Sequence, residues 1–459
     1  MVSPELISVL ALIAAFVVAT TLSVNMGMLM LTMAFLVGMT AGGLSEEEIF
    51  AGFPGDLFVV LVGVTYLFAI ARANGTTDWL VHRAVRLLGG RIALIPWVMF
   101  GIGALLTAIG AVSPAACAIV APIAMSMAVR YRINPLLMGV MVVHGTQAGS
   151  FSPISIYGTI VNGVVTRGGL PTGPIVLFLG ALVVNTVIAA IVFVTFGGLR
   201  LVGAGSVSAK SAVPAAASAQ PALSAAGTGR VPGLSAGSAG ESGASAEPAE
   251  SASTGDEPIE TLNRDRWLTL IGLVGLVVST LGFGLDVGLV AVTIAVVLSM
   301  ISPKIARNAP SEVAWPTVLL ICGVLTYVGV LREMGTIDYA GEAVAGIGIP
   351  LVVALLLCYV GALVSAFASS VGIMGALIPL AVPFLLQGEI GAVGMITALA
   401  VASTVVDVSP FSTNGAIVLA NSGDFDKDVL FRKLLIYGVV VVTAAPLLTW
   451  LVFVVLTPG

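Results

Sequence analysis

One acidic residue, Asp407, stands inside an apolar run, Ala398–Val408. A carboxylate in hydrocarbon is costly and marks a cation or proton site by default; the bland alternative is an acceptor for backbone N–H groups nearby. Hydroxyls and amides gather close by in sequence, at points where Pro and Gly interrupt apolar helices. The first half of the chain offers Ser113, Ser150, Ser152 and Ser155; the second offers Ser365, Ser369, Ser370, Ser409, Ser412, Thr413 and Asn414. Such groups often only bond back to their own helix, but here they cluster at breaks in both halves. A broken helix presents free N–H groups that carry about half a positive elementary charge, which attracts carboxylates. Its freed carbonyls and hydroxyls suit a small cation such as Na⁺. We therefore assign Ser113, Ser155, Tyr157, Ser369, Ser370, Ser412, Thr413 and Asn414 to an anionic solute. Ser150, Ser152, Asp407 and Ser409 are assigned to a cation. His144 either titrates, donates to a carboxylate, or simply packs; Gln147 is either a cavity group or a packing one. No catalytic set is present: there are no paired aspartates, no H-E-x-x-H and no Ser/His pair at useful spacing. The expectation is therefore no enzyme, no cofactor and no metal beyond Na⁺, with Na⁺ or H⁺ as coupling ion.

The elements that must position these residues span a membrane. Of 459 residues, 58% are hydrophobic and 9% charged, with a mean hydropathy of +1.13. Soluble domains carry about 25% charged residues, so soluble enzymes and nucleic-acid binders are excluded. The apolar runs approach ~20 residues, the length of a spanning helix, without the period-two alternation of a barrel strand. Cys117, Cys322 and Cys358 lie in apolar runs and read as small core residues. No basic segment precedes the first apolar run, so no cleaved signal peptide is expected. The expected fold is an all-α polytopic membrane protein. Expected units are residues 1–202, a linker over 203–263 and residues 264–459. From Gly203 to Pro258 the linker is nearly all Ala, Ser, Gly and Pro, a composition that cannot offset its ordering entropy.

The two apolar blocks give the same series of segments. Each has three spans, a short amphipathic piece (Thr76–Gly89, Thr336–Ala345), a hairpin-like stretch, a broken helix and a last span. The hairpins cover Leu94–Val129, with a break at Ser113-Pro114, and Pro350–Leu386, with a break near Ser369-Ser370. The broken helices cover Pro135–Thr166 and Gly391–Ala420. In Thr76–Gly89, Asp78, His82 and Arg86 make one charged stripe, as in a helix lying in the interface plane. A shift of 260 residues pairs Gly63/Gly323, Val64/Val324, Arg72/Arg332, Gly75/Gly335, Thr76/Thr336 and Asp78/Asp338. A shift of 257 pairs Ser152/Ser409, Pro153/Pro410, Ser155/Ser412, Gly158/Gly415, Ile160/Ile417 and Val161/Val418. Apolar bias does not produce paired Gly, Pro, Ser, Arg and Asp in register. Five crossings per half is odd, so the second copy is inverted. With both termini outside, all of the 18 Lys and Arg residues except Arg167 and Arg332 fall on the cytoplasmic side, which also holds the linker. Inverted repeats with interrupted helices point to a secondary transporter. No basic side chain is expected at mid-membrane, so a bound anion needs cotransported cations to neutralise it.

The stretches Gly52-Phe53-Pro54-Gly55-Asp56-Leu57-Phe58, Gly63-Val64-Thr65-Tyr66-Leu67-Phe68, Asn74–Val81 and Phe151–Gly158 resemble the N-terminal domain of the MatC-type malonate/dicarboxylate carriers over roughly residues 1–165. The whole chain more loosely resembles the ion transporter superfamily, including the divalent anion:sodium symporters. The resemblance implies re-entrant hairpins, a scaffold that dimerises and an elevator-type movement in the cell membrane, among lipid. It implies import of malonate or a C4-dicarboxylate. The symporters carry Ser-Asn-Thr at each hairpin tip, whereas the aligned tips here read Val112-Ser113-Pro114 and Ser369-Ser370-Val371, without the Asn. Thr413-Asn414-Gly415-Ala416-Ile417-Val418 is similar to a Pro-Asn-Ala-Ile-Val-like stretch of their second broken helix, which singles out Asn414. An antiporter or oxyanion exporter on the same architecture is the alternative.

Overall fold

A computed structural model describes residues 3–22, 24–86, 91–202, 262–337, 339, 349–366, 370–423 and 425–456. The linker from Gly203 to Pro258, Asp338 and Ser369 lie outside the described residues. All regular elements of the described residues are helices. The first half holds α1 (Pro4–Thr21), α2 (Met26–Thr40), α3 (Glu46–Ala51), α4 (Gly55–Ala73), α5 (Thr76–Arg86), α6 (Ile95–Ala108), α7 (Ser113–Arg130), α8 (Pro135–Gly149), α9 (Ile156–Arg167), α10 (Pro174–Thr195) and α11 (Gly198–Val202). The second holds α12 (Arg264–Val277), α13 (Val287–Ile301), α14 (Pro303–Ala306), α15 (Trp315–Glu333), α16 (Pro350–Ser365), α17 (Ser370–Leu386), α18 (Ala392–Val405), α19 (Thr413–Ala420) and α20 (Lys427–Trp450). Among the described residues, seven helical stretches are long and apolar enough to cross a membrane.

Polar side chains cap several of these helices. Asn25, Asn134, Ser155, Asp286, Ser412 and Asp426 each accept an N–H of the first turn, which satisfies donors that a helix N-terminus leaves open. The sequence reading did not anticipate α3. Ser45 and Glu48 form a capping box that starts it. The hairpin Leu94–Val129 resolves into α6 and α7, joined by a corner at Ile109–Val112. Pro114 falls in the first turn of α7, where its missing N–H costs nothing.

Helix packings come in corresponding pairs. α2 packs on α15, and α4 on α13; α6 packs on α8, and α16 on α18; α7 packs on α19, and α17 on α9. The closest crossings use glycine. A Cβ on Gly323 would strike the backbone of Gly27, and one on Gly63 would come within 2.7 Å of the Gly288 carbonyl. Without side chains at these positions the backbones approach closely, as small residues allow between membrane helices. A small core (Met30, Ala34, Val37, Val324, Tyr327, Leu331) ties α2 to α15. A larger one runs through α4, α6–α10 and α16–α20. The outward faces of α1, α10, α12, α13 and α20 expose large apolar side chains such as Leu10, Val183, Ile271, Leu289 and Val440.

Candidate functional site

Both broken helices are interrupted where the sequence places their Pro and Gly. α8 stops at Gly149 and α9 begins at Ile156; α18 stops at Val405, a single tight turn covers Val406–Val408, and α19 begins at Thr413. The two breaks are built alike. Ser155 caps α9, accepting Gly158 N–H at 3.2 Å, while its hydroxyl donates to the carbonyls of Ser150 (2.5 Å) and Ser152 (2.7 Å). Ser412 caps α19, accepting Gly415 N–H at 3.3 Å, while its hydroxyl donates to the carbonyls of Asp407 and Ser409, the latter at 2.7 Å. The glycine of each pair is required: a Cβ on Gly158 would strike the Ser152 carbonyl, and one on Gly415 the Ser409 carbonyl. The hydroxyls of Ser155 and Ser412 are thus committed to holding the breaks. Ser152 donates to the Ala108 carbonyl at the corner of the first hairpin, and Ser409 accepts the Phe411 N–H at 3.3 Å.

The tip of each hairpin meets the broken helices. At the first, the Ser113 hydroxyl donates to Thr146 of α8 at 3.0 Å and accepts from Asn414 Nδ2 of α19 at 2.9 Å. At the second, Ser370 donates to Asp407 Oδ1, with Ser365 donating to Ser370 at 3.0 Å. The other carboxylate oxygen accepts Gln147 Nε2 at 2.9 Å, and Ser150 donates to the Gln147 carbonyl at 2.8 Å. Two polar clusters therefore meet on α8 at the adjacent residues Thr146 and Gln147. Ser113, His144, Thr146, Gln147, Ser150, Ser370, Asp407 and Asn414 are all buried. One buried side-chain atom of this centre, Asn414 Oδ1, has no partner.

Among the residues assigned from sequence, Ser113, Ser150, Ser370, Asp407 and Asn414 enter these two clusters. Ser152, Ser155, Ser409 and Ser412 line the breaks. Tyr157 is buried edge-on to Phe151 at 5.9 Å between ring centres, and Thr413 is exposed in the first turn of α19. Ser369 falls outside the described residues. Thr146 was not singled out by the sequence, where a Thr in an apolar helix carries no signal. Asn185 and Tyr437 were missed as well, and they give His144 a packing place: its Nδ1 sits 2.8 Å from Asn185 Oδ1 and its Nε2 2.8 Å from the Tyr437 hydroxyl. Asn185 spends its Nδ2 on the Ala181 carbonyl, so its oxygen faces the imidazole and Nδ1 carries the hydrogen.

Two cavities lie near opposite ends of α4, whose 19 residues rise about 28 Å. A cavity of about 470 Å³ is lined by Gly52, Arg167, Arg332, Pro379, Val382 and Leu386, among others. Arg167 pairs with Asp56, and Arg332 donates to the Arg167 carbonyl at 2.9 Å. A smaller cavity of about 70 Å³ is lined by Thr65, Arg72, Thr77, Gly110, Val112 and Glu312, with Arg72 paired to Glu312. The smaller one reaches the corner that carries Ser113.

Residues 2–150 match the family model described as the dicarboxylate carrier protein MatC N-terminus. The fold is similar to the crystal structure of the YdaH transporter of Alcanivorax borkumensis, described as having an unusual topology. That likeness has a TM-score of 0.58 and 15% identity, over 88% of this chain and 86% of that one. No curated protein sequence matches the chain. The family match points to a membrane transporter rather than an enzyme.

Proposed function

We propose that this chain, a multi-pass membrane protein whose N-terminal region matches that of the MatC dicarboxylate carriers, imports a small dicarboxylate by alternating access, with Na⁺ or H⁺ as coupling ion. One observation carries the reading: both hairpin tips and both helix breaks converge on a buried centre, with Ser113 on Asn414 and Ser370 on Asp407. At that centre the open N–H groups at the starts of α9 and α19 suit carboxylates, and the walls are hydroxyls and amides. α2, α4, α13 and α15 make the scaffold, and α6–α9 with α16–α19 make the moving part. Cavities at the two ends of α4 are what a carrier needs if its site is to open to one side at a time. Malonate and C4-dicarboxylates are the expected substrates. A homodimer through the scaffold, a place in the cell membrane, a cytoplasmic linker and both termini outside belong to the same reading. The test is uptake of labelled malonate and succinate into proteoliposomes under imposed Na⁺ or pH gradients in turn. Uptake under one gradient supports import; uptake under neither would favour an antiporter or oxyanion exporter of the same architecture.

A further inference from the structure

The direction of one hydrogen-bond chain fixes what the centre can accept. The chain runs from Asn414 to Ser113 to Thr146 to the Val143 carbonyl, with steps of 2.9, 3.0 and 2.8 Å. A carbonyl only accepts, so Thr146 spends its single hydrogen on Val143. Thr146 can then only accept from Ser113, and Ser113 can only accept from Asn414. Asn414 must therefore turn its NH₂ toward Ser113. Its Oδ1 is left as a fully buried acceptor with no donor.

A carboxylate oxygen placed against Oδ1 would meet oxygen with oxygen. Only an O–H, an N–H or a cation satisfies it. Na⁺ needs several oxygens around it, and the break carbonyls are already engaged by hydroxyls: that of Ser155 is shared between Ser150 and Ser152, and that of Ser412 between Asp407 and Ser409. The surrounding titratable groups supply no positive charge. Asp407 faces the centre from the second break. Cys117 of α7 has its Sγ 3.8 Å from the Asn414 carbonyl. Tyr157 of α9 lies within electrostatic range of Asp407. His144 of α8 is turned away onto Asn185 and Tyr437. Among the described residues, the buried basic side chain outside this group is Arg266, whose Nε donates to the Asn74 carbonyl.

We propose that the site takes its dicarboxylate as the half-protonated monoanion, whose carboxylic O–H donates to Asn414 Oδ1, so that the coupling ion is a proton carried on the substrate. The proton comes from solvent on the entry side and leaves with the substrate on the other. This inference rests on the dicarboxylate reading above and names the species bound. Thr146 acts as a positioning residue: it does not touch the substrate but fixes which way Asn414 faces.

The test is calorimetric titration of the full-length purified protein with malonate, near pH 7.5, in two Na⁺-free buffers of different ionisation enthalpy. Malonate is mostly dianion there, so about one proton is taken up per molecule bound, and affinity falls about tenfold per pH unit above that point. In Thr146→Val the Ser113 hydrogen is released and Asn414 can turn its NH₂ to the substrate. Proton uptake then drops below about half, and the pH slope flattens. Wild-type binding without proton uptake, or binding that requires Na⁺, overturns this inference and leaves the dicarboxylate reading standing. Proton uptake that vanishes in Asp407→Asn would move the proton to that carboxylate and also overturn it. If neither malonate nor succinate binds, the dicarboxylate reading falls and takes the inference with it.

Discussion

Adding one methyl group at each helix break tests both the breaks and their duplication. In Gly415→Ala the new Cβ would lie inside the contact distance of the Ser409 carbonyl and 2.8 Å from that of Val408. The Ser409–Ser412 loop has to open by ~1 Å, twice the tolerance of about 0.5 Å for a binding constellation. That loop is closed by Ser412 N–H on the Ser409 carbonyl at 3.0 Å and by the Ser412 hydroxyl on the Asp407 and Ser409 carbonyls. Overpacking costs about 1–3 kcal/mol, and each weakened hydrogen bond adds roughly 0.6 kcal/mol within a membrane. The opening displaces Asp407 and Asn414, which flank the loop on either side. Uptake should fall at least about tenfold, equivalent to ~1.4 kcal/mol, with the protein still in the membrane at a lower Tm. Gly158→Ala meets the same obstacle at the Ser152 carbonyl, with the Phe151 carbonyl at 3.0 Å, and should cost a similar amount. Gly275→Ala, whose Cβ would meet nothing within 4 Å, is the control and should gain up to about 1 kcal/mol as a helical Gly→Ala change. The assay is initial uptake into proteoliposomes, paired with thermal unfolding in detergent. Wild-type uptake and Tm in Gly415→Ala and Gly158→Ala would refute the geometry of both breaks.

Asn414→Ala and Ser412→Ala should each abolish uptake while the protein remains in the membrane; wild-type rates in either would remove that residue from the site. Tyr437→Phe strips His144 Nε2 of its partner and should lower stability by ~1 kcal/mol, the scale of a hydrogen bond between membrane helices, while uptake persists. Loss of uptake with unchanged Tm would instead assign His144 to transport. Tags at the two ends of the chain should both react with an impermeant reagent from outside intact cells, and tags on opposite faces would break the inverted arrangement.

The breaks were legible because Pro, Gly and Ser fall together there inside runs that are otherwise apolar. Gly149–Pro153 and Ser409-Pro410 mark the observed interruptions, and the Asp78, His82, Arg86 stripe marks α5. The contacts that make the site were less so. Gln147 to Asp407, Asn414 to Ser113 and Tyr437 to His144 join residues hundreds of positions apart, and no local pattern announces them. The Pro/Gly and hydroxyl signals say where backbone is irregular; they do not say which hydroxyl turns outward and which spends its hydrogen on the backbone. Ser155 and Ser412 illustrate the difference. They stand beside the residues of the two clusters in sequence, yet their hydrogens close the breaks. The short helix α3 escaped notice because six residues are too few for periodicity to show, although Ser45 and Glu48 three apart are a capping signature.

The two halves share a pattern of helices and breaks but not the side chains set on it. Ser155 corresponds to Ser412 and Gly158 to Gly415, and these pairs do the same work in both halves, whereas Ser113 and its counterpart Ser370 stand alike at the hairpin tips but bond to different partners. At the same shift, however, Asp407 stands where the first half has Ser150, and Asn414 stands where it has Tyr157. Apart from the two hairpin-tip serines, the matched residues are those that hold backbone: caps and glycines at close approaches. The unlike residues are those whose chemistry would meet a solute. A carboxylate in both copies would put two negative charges beside an anion with no basic side chain to offset them, and like charges brought together at low dielectric are strongly unfavourable. Keeping the carboxylate in the second copy alone limits that cost. It also makes the centre polarised, with the charge at the second hairpin tip and the open acceptor of Asn414 at the first. Both poles call for a donor: the protonated end of a solute suits the Asn414 acceptor, and its ionised end suits the helix-start N–H groups at the breaks rather than Asp407.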